Sequence, residues 1–170
     1  MVWHQSKIIL VSLAVIITGC AFLIFVAPPL PIEEREFIRQ VEDYQRATAR
    51  LEDDMAGSPW TGNSTMLELY GRREKALADL YTWNVTLSPV SGIFFESRME
   101  VLKALGYEKA SAEDLISAST AFREGKEAEG LALLESASER QKMRSGHLDR
   151  AGMLIREAVI FNQLQYVPKG

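Results

Sequence analysis

Residues Ile8 to Ala27 read IILVSLAVIITGCAFLIFVA, twenty positions without a charged side chain. At about 1.5 Å rise per residue, a helix of this length spans the roughly 30 Å hydrocarbon core of a bilayer. Helical backbone satisfies its own hydrogen bonds, which lipid cannot do, so the β-branched Val and Ile are no obstacle to a helix there. A transmembrane helix is therefore expected over 8–27. Pro28, Pro29 and Pro31 end it and make 28–32 a proline-rich linker.

Lys7 and the amino terminus precede the run, whereas Glu33, Glu34, Arg35 and Glu36 follow it. This basic bias places a short tail, 1–7, in the cytoplasm and the domain 33–170 in an extracellular or periplasmic space. Within the run, Ile17-Thr18-Gly19-Cys20 resembles a lipoprotein signal box. That resemblance implies cleavage before Cys20 and lipidation of this cysteine. Ala21 to Ala27 stays apolar, however, where lipoproteins turn polar, so the uncleaved anchor is the preferred reading. An ordinary cleaved signal is the third. Under all three the domain is exported. Pilin subunits begin with a similar apolar helix, but the basic residue and glycine of their processing site are missing here.

The overall apolar fraction of 47% is that of a globular protein, yet the charge-free apolar sequence is concentrated before Glu33. A length of 170 residues leaves room for one domain beside the anchor. The formal net charge is −4, and Arg35, Arg39, Arg46, Arg50, Arg72 and Arg73 are interleaved with Glu and Asp. Solvated helix faces account for this pattern, and nucleic acid is not an expected partner. Cys20 is the only cysteine, so the domain has no internal disulfide and depends on burial for stability. His4 and His147 make no ligand spacing, and neither a metal nor a cofactor is expected.

From Phe37 the inward positions recur as Phe37, Val41, Tyr44, Thr48, Leu51 and Met55. Steps of four and three make a coiled-coil-like seam, read as the inward face of a bundle helix in preference to a dimeric coiled coil. Gly57, Ser58 and Pro59 close this helix. A second helix starts near Ser64 or Thr65 and is expected to bury Leu69, Ala76, Leu80 and Trp83, before a break at Leu87-Ser88-Pro89. Trp60, in the intervening loop, is read as folding back over the core. A third helix, Ile93 to Leu105, presents Phe94 or Phe95 with Arg98, Val101, Leu102 and Leu105, and Gly106 ends it. Ser111 and Asp114 make a capping-box-like start for a fourth helix over Leu115, Ala118, Ser119 and Phe122, stopping near Gly125.

Two more helices are expected, the last ending near Gln165, because two alike stretches follow at a 21-residue offset. Gly125 to Ala137 aligns with Gly146 to Ala158, sharing glycine, a small residue, a Leu-Leu or Leu-Ile pair and alanine. The stretch Ala121 to Ala137 resembles the helix-turn-helix of tetratricopeptide (TPR) repeats. The 21-residue spacing departs from their 34, so the resemblance implies TPR-like packing in the C-terminal half and not an array. Small residues at Ala118, Gly130, Ala137, Ala151 and Ala158 let helix axes approach closely. The expected fold is thus all-α, a transmembrane helix followed by an antiparallel bundle of six helices.

Asn63-Ser64-Thr65 and Asn84-Val85-Thr86 are glycosylation sequons, so Asn63 and Asn84 are candidate modification sites, although Asn63, Ser64 or Thr65 also suits a helix cap. Neighbouring carboxylates such as Glu33 with Glu34 or Asp53 with Asp54 diverge on a helix, and no phosphate loop or Glu-x-x-His motif is found. An enzyme is not expected, and no catalytic residue is assigned. His147 and Asp149 are read as capping the last helix. The sequence favours a membrane-anchored interaction or structural module with a protein partner or self-association. The alternatives are a ligand-binding sensory bundle, with a pocket lined by Tyr70, Trp83 or Phe94, and a lipoprotein held at Cys20.

Overall fold

The seam expected of the first domain helix is the inward one: Phe37, Val41, Tyr44, Thr48 and Leu51 are all buried. They lie on α1 (Ile32–Ala56), which is followed by α2 (Ser64–Leu87), α3 (Gly92–Arg123) and α4 (Glu127–Gln165). This computed structural model describes residues 30–56 and 64–165, with side chains over 30–54 and 64–162. Among the described residues every regular element is helical, as expected. None of these helices is long and apolar enough to cross a membrane. The predicted anchor 8–27 and tail 1–7, residues 28 and 29 of the linker, Trp60, Asn63 and Cys20 lie outside the described residues.

The chain divides into two compact units, residues 31–156 and residues 1–30 with 157–170. Of the second, Leu30 and the helical stretch 157–165 are described, with Ile160 and Phe161 exposed. In the first unit, contacts between helices give their directions. Ser88 donates to Gln40 at 2.6 Å while Tyr70 donates to the Asp54 carbonyl at 3.1 Å, so α2 runs back along α1. Lys109 pairs with Asp79 at 2.8 Å and Arg123 with Glu68 at 2.8 Å, so α3 runs back along α2. His147 meets Glu100 at 2.6 Å and Ser136 meets Asp114 at 2.7 Å, so α4 runs back along α3. Each helix is antiparallel to its predecessor, the up-and-down arrangement that short loops favour.

Among the described residues four helices stand where six are expected after the anchor. Gly106 does not end a helix but lies within α3, and Ser111 does not start one. Ser111 is buried, with its hydroxyl donating to the Ala137 carbonyl at 3.3 Å, and Asp114 accepts from Ser136. A glycine costs a helix interior only about 1 kcal/mol, which packing on both sides readily offsets. Likewise Gly146, His147 and Asp149 lie inside α4, so His147 and Asp149 cap nothing and the second of the two alike stretches begins without a turn. The first does turn. Gly125 has φ 74°, Lys126 N–H bonds to the Ala121 carbonyl at 2.9 Å and Gly125 N–H to that of Phe122 at 3.1 Å, a Schellman end to α3. Beyond it, Gly130 lies so close to Phe122 that a Cβ would fall 2.5 Å from the ring.

The second correction concerns α2. Leu69, Leu80 and Trp83 were expected inside but are 40%, 54% and 67% exposed, and Ala76 is exposed too. The buried line is Leu67, Tyr70, Gly71, Glu74, Ala78 and Val85. The reason is close approach. A Cβ on Gly71 would lie 2.8 Å from the Ala112 carbonyl oxygen, so α2 sits against α3 with its small residues and turns its large ones outward. Leu67 joins Leu115, Ala118 and Ala137 in an apolar cluster with Phe122, Leu133 and Leu134. Phe94 is the inward phenylalanine of its pair, edge-on to Phe37 at 6.4 Å, while Phe95 is exposed.

Candidate functional site

Between the Leu67 cluster and the Phe37–Phe94 pair, the interior of the bundle holds a polar network among buried apolar residues such as Val101 and Leu105. Tyr44 on α1, Glu74 on α2, Glu108 on α3 and Arg144 on α4 are all buried. The Tyr44 hydroxyl donates to Glu108. The Arg144 guanidinium lies 3.5 Å from the same carboxylate and also pairs with Glu52. Gln141 donates to Glu74 at 3.2 Å.

Burial pushes the Tyr44 phenol up, and the Glu108 charge beside it adds to the effect, so the phenol stays a donor. Burial also raises Glu108, against the pull of Tyr44 and Arg144. For Arg144, burial disfavours the cation, but Glu108 and the hydrogen bond to Glu52 outweigh it. Glu74 is pushed up to about 7, first by burial and then by the Glu108 charge. One oxygen of Glu74, one of Glu108 and Arg144 Nε make no hydrogen bond among the described residues. Such a network orders the four helices but contains one acid able to take up a proton near neutral pH.

A groove of about 460 Å³ runs between α1 and α4, lined among others by Ile38, Val41, Gln45, Leu148 and Met153. No member of the polar network lines it. Tyr70, Trp83 and Phe94, named as lining for a ligand pocket, do not converge: Tyr70 and Phe94 are buried and Trp83 faces solvent. No cluster of three or more His, Cys, Asp and Glu suited to a metal occurs among the described residues. His147 stacks on Tyr107 at 5.3 Å and pairs with Glu100, whose carboxyl is held low by Lys103 and His147. Asn84 is half-buried on α2, its carbonyl accepting from Ser88.

The surface of α2 is the more telling feature. Leu69, Ala76, Leu80, Trp83 and Leu87 are exposed and recur by seven, four, three and four, with exposed Arg73 completing the heptad rhythm. At 100° per residue they share one narrow stripe. It lies opposite Gly71, Ala78 and Val85, the line buried against the bundle. From Leu69 to Leu87 this stripe extends about 27 Å. The sequence shows the periodicity itself, but not which of the two faces of α2 points inward.

Comparison of the chain with family models, with curated proteins and with solved structures gives no match.

Proposed function

We propose that this chain is a membrane-anchored helical module, held outside the cytoplasm by residues 8–27, whose work is to dock a protein on the outward face of α2. The observation that carries the reading is the exposed stripe Leu69, Ala76, Leu80, Trp83 and Leu87. A helix that buries glycine and alanine while presenting leucine and tryptophan to water carries an apolar surface that its own fold does not use. Trp83, more exposed than the three leucines, is the residue type over-represented where interface energy concentrates. The turn at Gly125 and the close approach of Gly130 to Phe122 support reading Ala121 to Ala137 as TPR-like packing behind the docking face.

The experiment is site-specific photo-crosslinking of the full-length protein in its membrane, with a photoreactive residue at position 80 and a control at the exposed position 139 on α4. An adduct formed from position 80 and absent from 139 is the expected result. Absence of any adduct from the stripe overturns the reading. Protease added to intact cells or spheroplasts tests the location: the domain 33–170 is digested, and full protection overturns the export proposal.

A second reading, a sensory bundle acting through a membrane partner, is favoured by one observation. Glu74, which titrates near neutrality, sits where all four helices meet. Its test is whether the crosslink from position 80 changes with external pH between 6 and 8.

A further inference from the structure

We propose that the occupant of the α2 stripe is α2 of a second copy of this chain, packed antiparallel across a two-fold axis near Ala78; this inference rests on the docking reading above. The stripe, with Arg73, falls at residues 69, 73, 76, 80, 83 and 87, so its steps run four, three, four, three, four. That order is palindromic. Laid against itself in reverse, it sets Leu69 opposite Leu87, Arg73 opposite Trp83 and Ala76 opposite Leu80 of the second copy, and each position meets one partner.

In heptad terms, 69, 76 and 83 occupy d positions and 73, 80 and 87 occupy a positions, so every layer is an a residue facing a d residue, as antiparallel helix pairs require. The layers are also complementary. Leucine meets leucine at both ends, and the small Ala76 makes room for Leu80. The Arg73 guanidinium, exposed and without an ion-pair partner among the described residues, lies against the face of the Trp83 indole. Parallel in-register pairing would instead bring Arg73 against Arg73 and Trp83 against Trp83, opposing like charges and crowding the two largest rings. Asp79, the charged residue that comes nearest its own copy, already has its charge matched by Lys109 at 2.8 Å. The two-fold symmetry makes the contact self-complementary and closed, so it ends at a dimer.

The test is disulfide trapping in membranes, using full-length protein with Cys20→Ser and one new cysteine per differently tagged copy. The antiparallel register expects Leu69→Cys to crosslink with Leu87→Cys, and Ala76→Cys with Leu80→Cys, while Leu69→Cys or Leu87→Cys expressed alone gives little dimer. Arg73→Ala in both copies is expected to weaken the dimer about 10- to 25-fold, the loss of two symmetry-related cation–aromatic contacts. Leu69→Cys crosslinking to itself as well as to Leu87→Cys overturns the antiparallel register. No crosslink in any pair overturns the second copy as occupant. In that case, a position-80 photo-adduct with a different protein leaves the docking reading standing, and no adduct at all removes both.

Discussion

At the scale of single residues, the buried ionic cluster makes two strong predictions. Glu74 is pushed up to about 7, from an ordinary 4.5, because its carboxylate is buried and faces the Glu108 charge. An acid whose pKa rises on folding holds its proton more tightly in the folded chain. Its contribution to stability is therefore complete below about 4.5 and declines as pH climbs to about 7. The groups facing it are Glu108 on α3, Arg144 and Gln141 on α4 and Glu52 on α1. Glu74→Gln is expected to flatten that decline and to raise the unfolding free energy at pH 8 by roughly 2 kcal/mol, seen as a higher thermal midpoint. Unfolding of the detergent-solubilised protein, followed by circular dichroism between pH 4.5 and 8, checks it. Arg144→Met has the opposite sign. It leaves Glu108 buried without its counter-charge and is expected to cost about 3–5 kcal/mol, part of which Arg144→Met with Glu108→Gln restores. None of this was evident from charge patterning, which reads Glu and Arg as solvated. The signal lies in phase: Ala137, Arg144, Ala151 and Ala158 recur every seven residues and are all buried, so Arg144 shares the inward line of α4.

At the scale of elements, the sequence shows most clearly where burial and periodicity agree. On α1 only one seam is apolar, and that seam is inside. On α2 two lines compete, and counting large apolar residues selects the outer one, because the value of Gly71 and Ala78 is the closeness they permit and not the area they bury. Helix ends are obscured in the sequence for a related reason. A glycine within a helical pattern looks like an end, yet whether it is one depends on packing on either side that local sequence does not contain. Two glycine substitutions separate these cases. Gly71→Ala places a methyl 2.8 Å from the Ala112 carbonyl oxygen and Ile116 Cγ1, and backbone cannot step aside as a flexible side-chain end can. It is expected to destabilise by about 1–3 kcal/mol. At Gly106, inside α3, a Cβ meets nothing within 4 Å, so Gly106→Ala is expected to stabilise by about 0.5–1 kcal/mol through helix propensity alone. Denaturant melts of the two variants in the same detergent check both signs.

At the scale of the whole molecule, the proposed anchor and the proposed dimer support each other energetically. Pairing along one exposed helical stripe is a small contact, and small contacts in free solution carry little net affinity after the loss of rotational and translational freedom. Confining both copies to one membrane raises their effective concentration, as a linker does for tethered partners. On this proposal the anchor has a role beyond placement: the α2 stripe is expected to suffice as a dimer contact only while residues 8–27 hold the chain in lipid. One substitution tests this dependence. Ile17 lies at the middle of the uncharged run, where a lysine costs roughly 2.5–3.5 kcal/mol of insertion free energy. Ile17→Lys is expected to move much of the protein from the carbonate-resistant membrane fraction to the soluble one. The disulfide yield between Leu69→Cys and Leu87→Cys, induced by added oxidant in both fractions after lysis at equal protein amount, is expected to fall with it, although no residue of the bundle has changed. If the soluble protein crosslinks as efficiently as the membrane-bound form, the stripe is a stable dimer contact by itself and the membrane contributes only location.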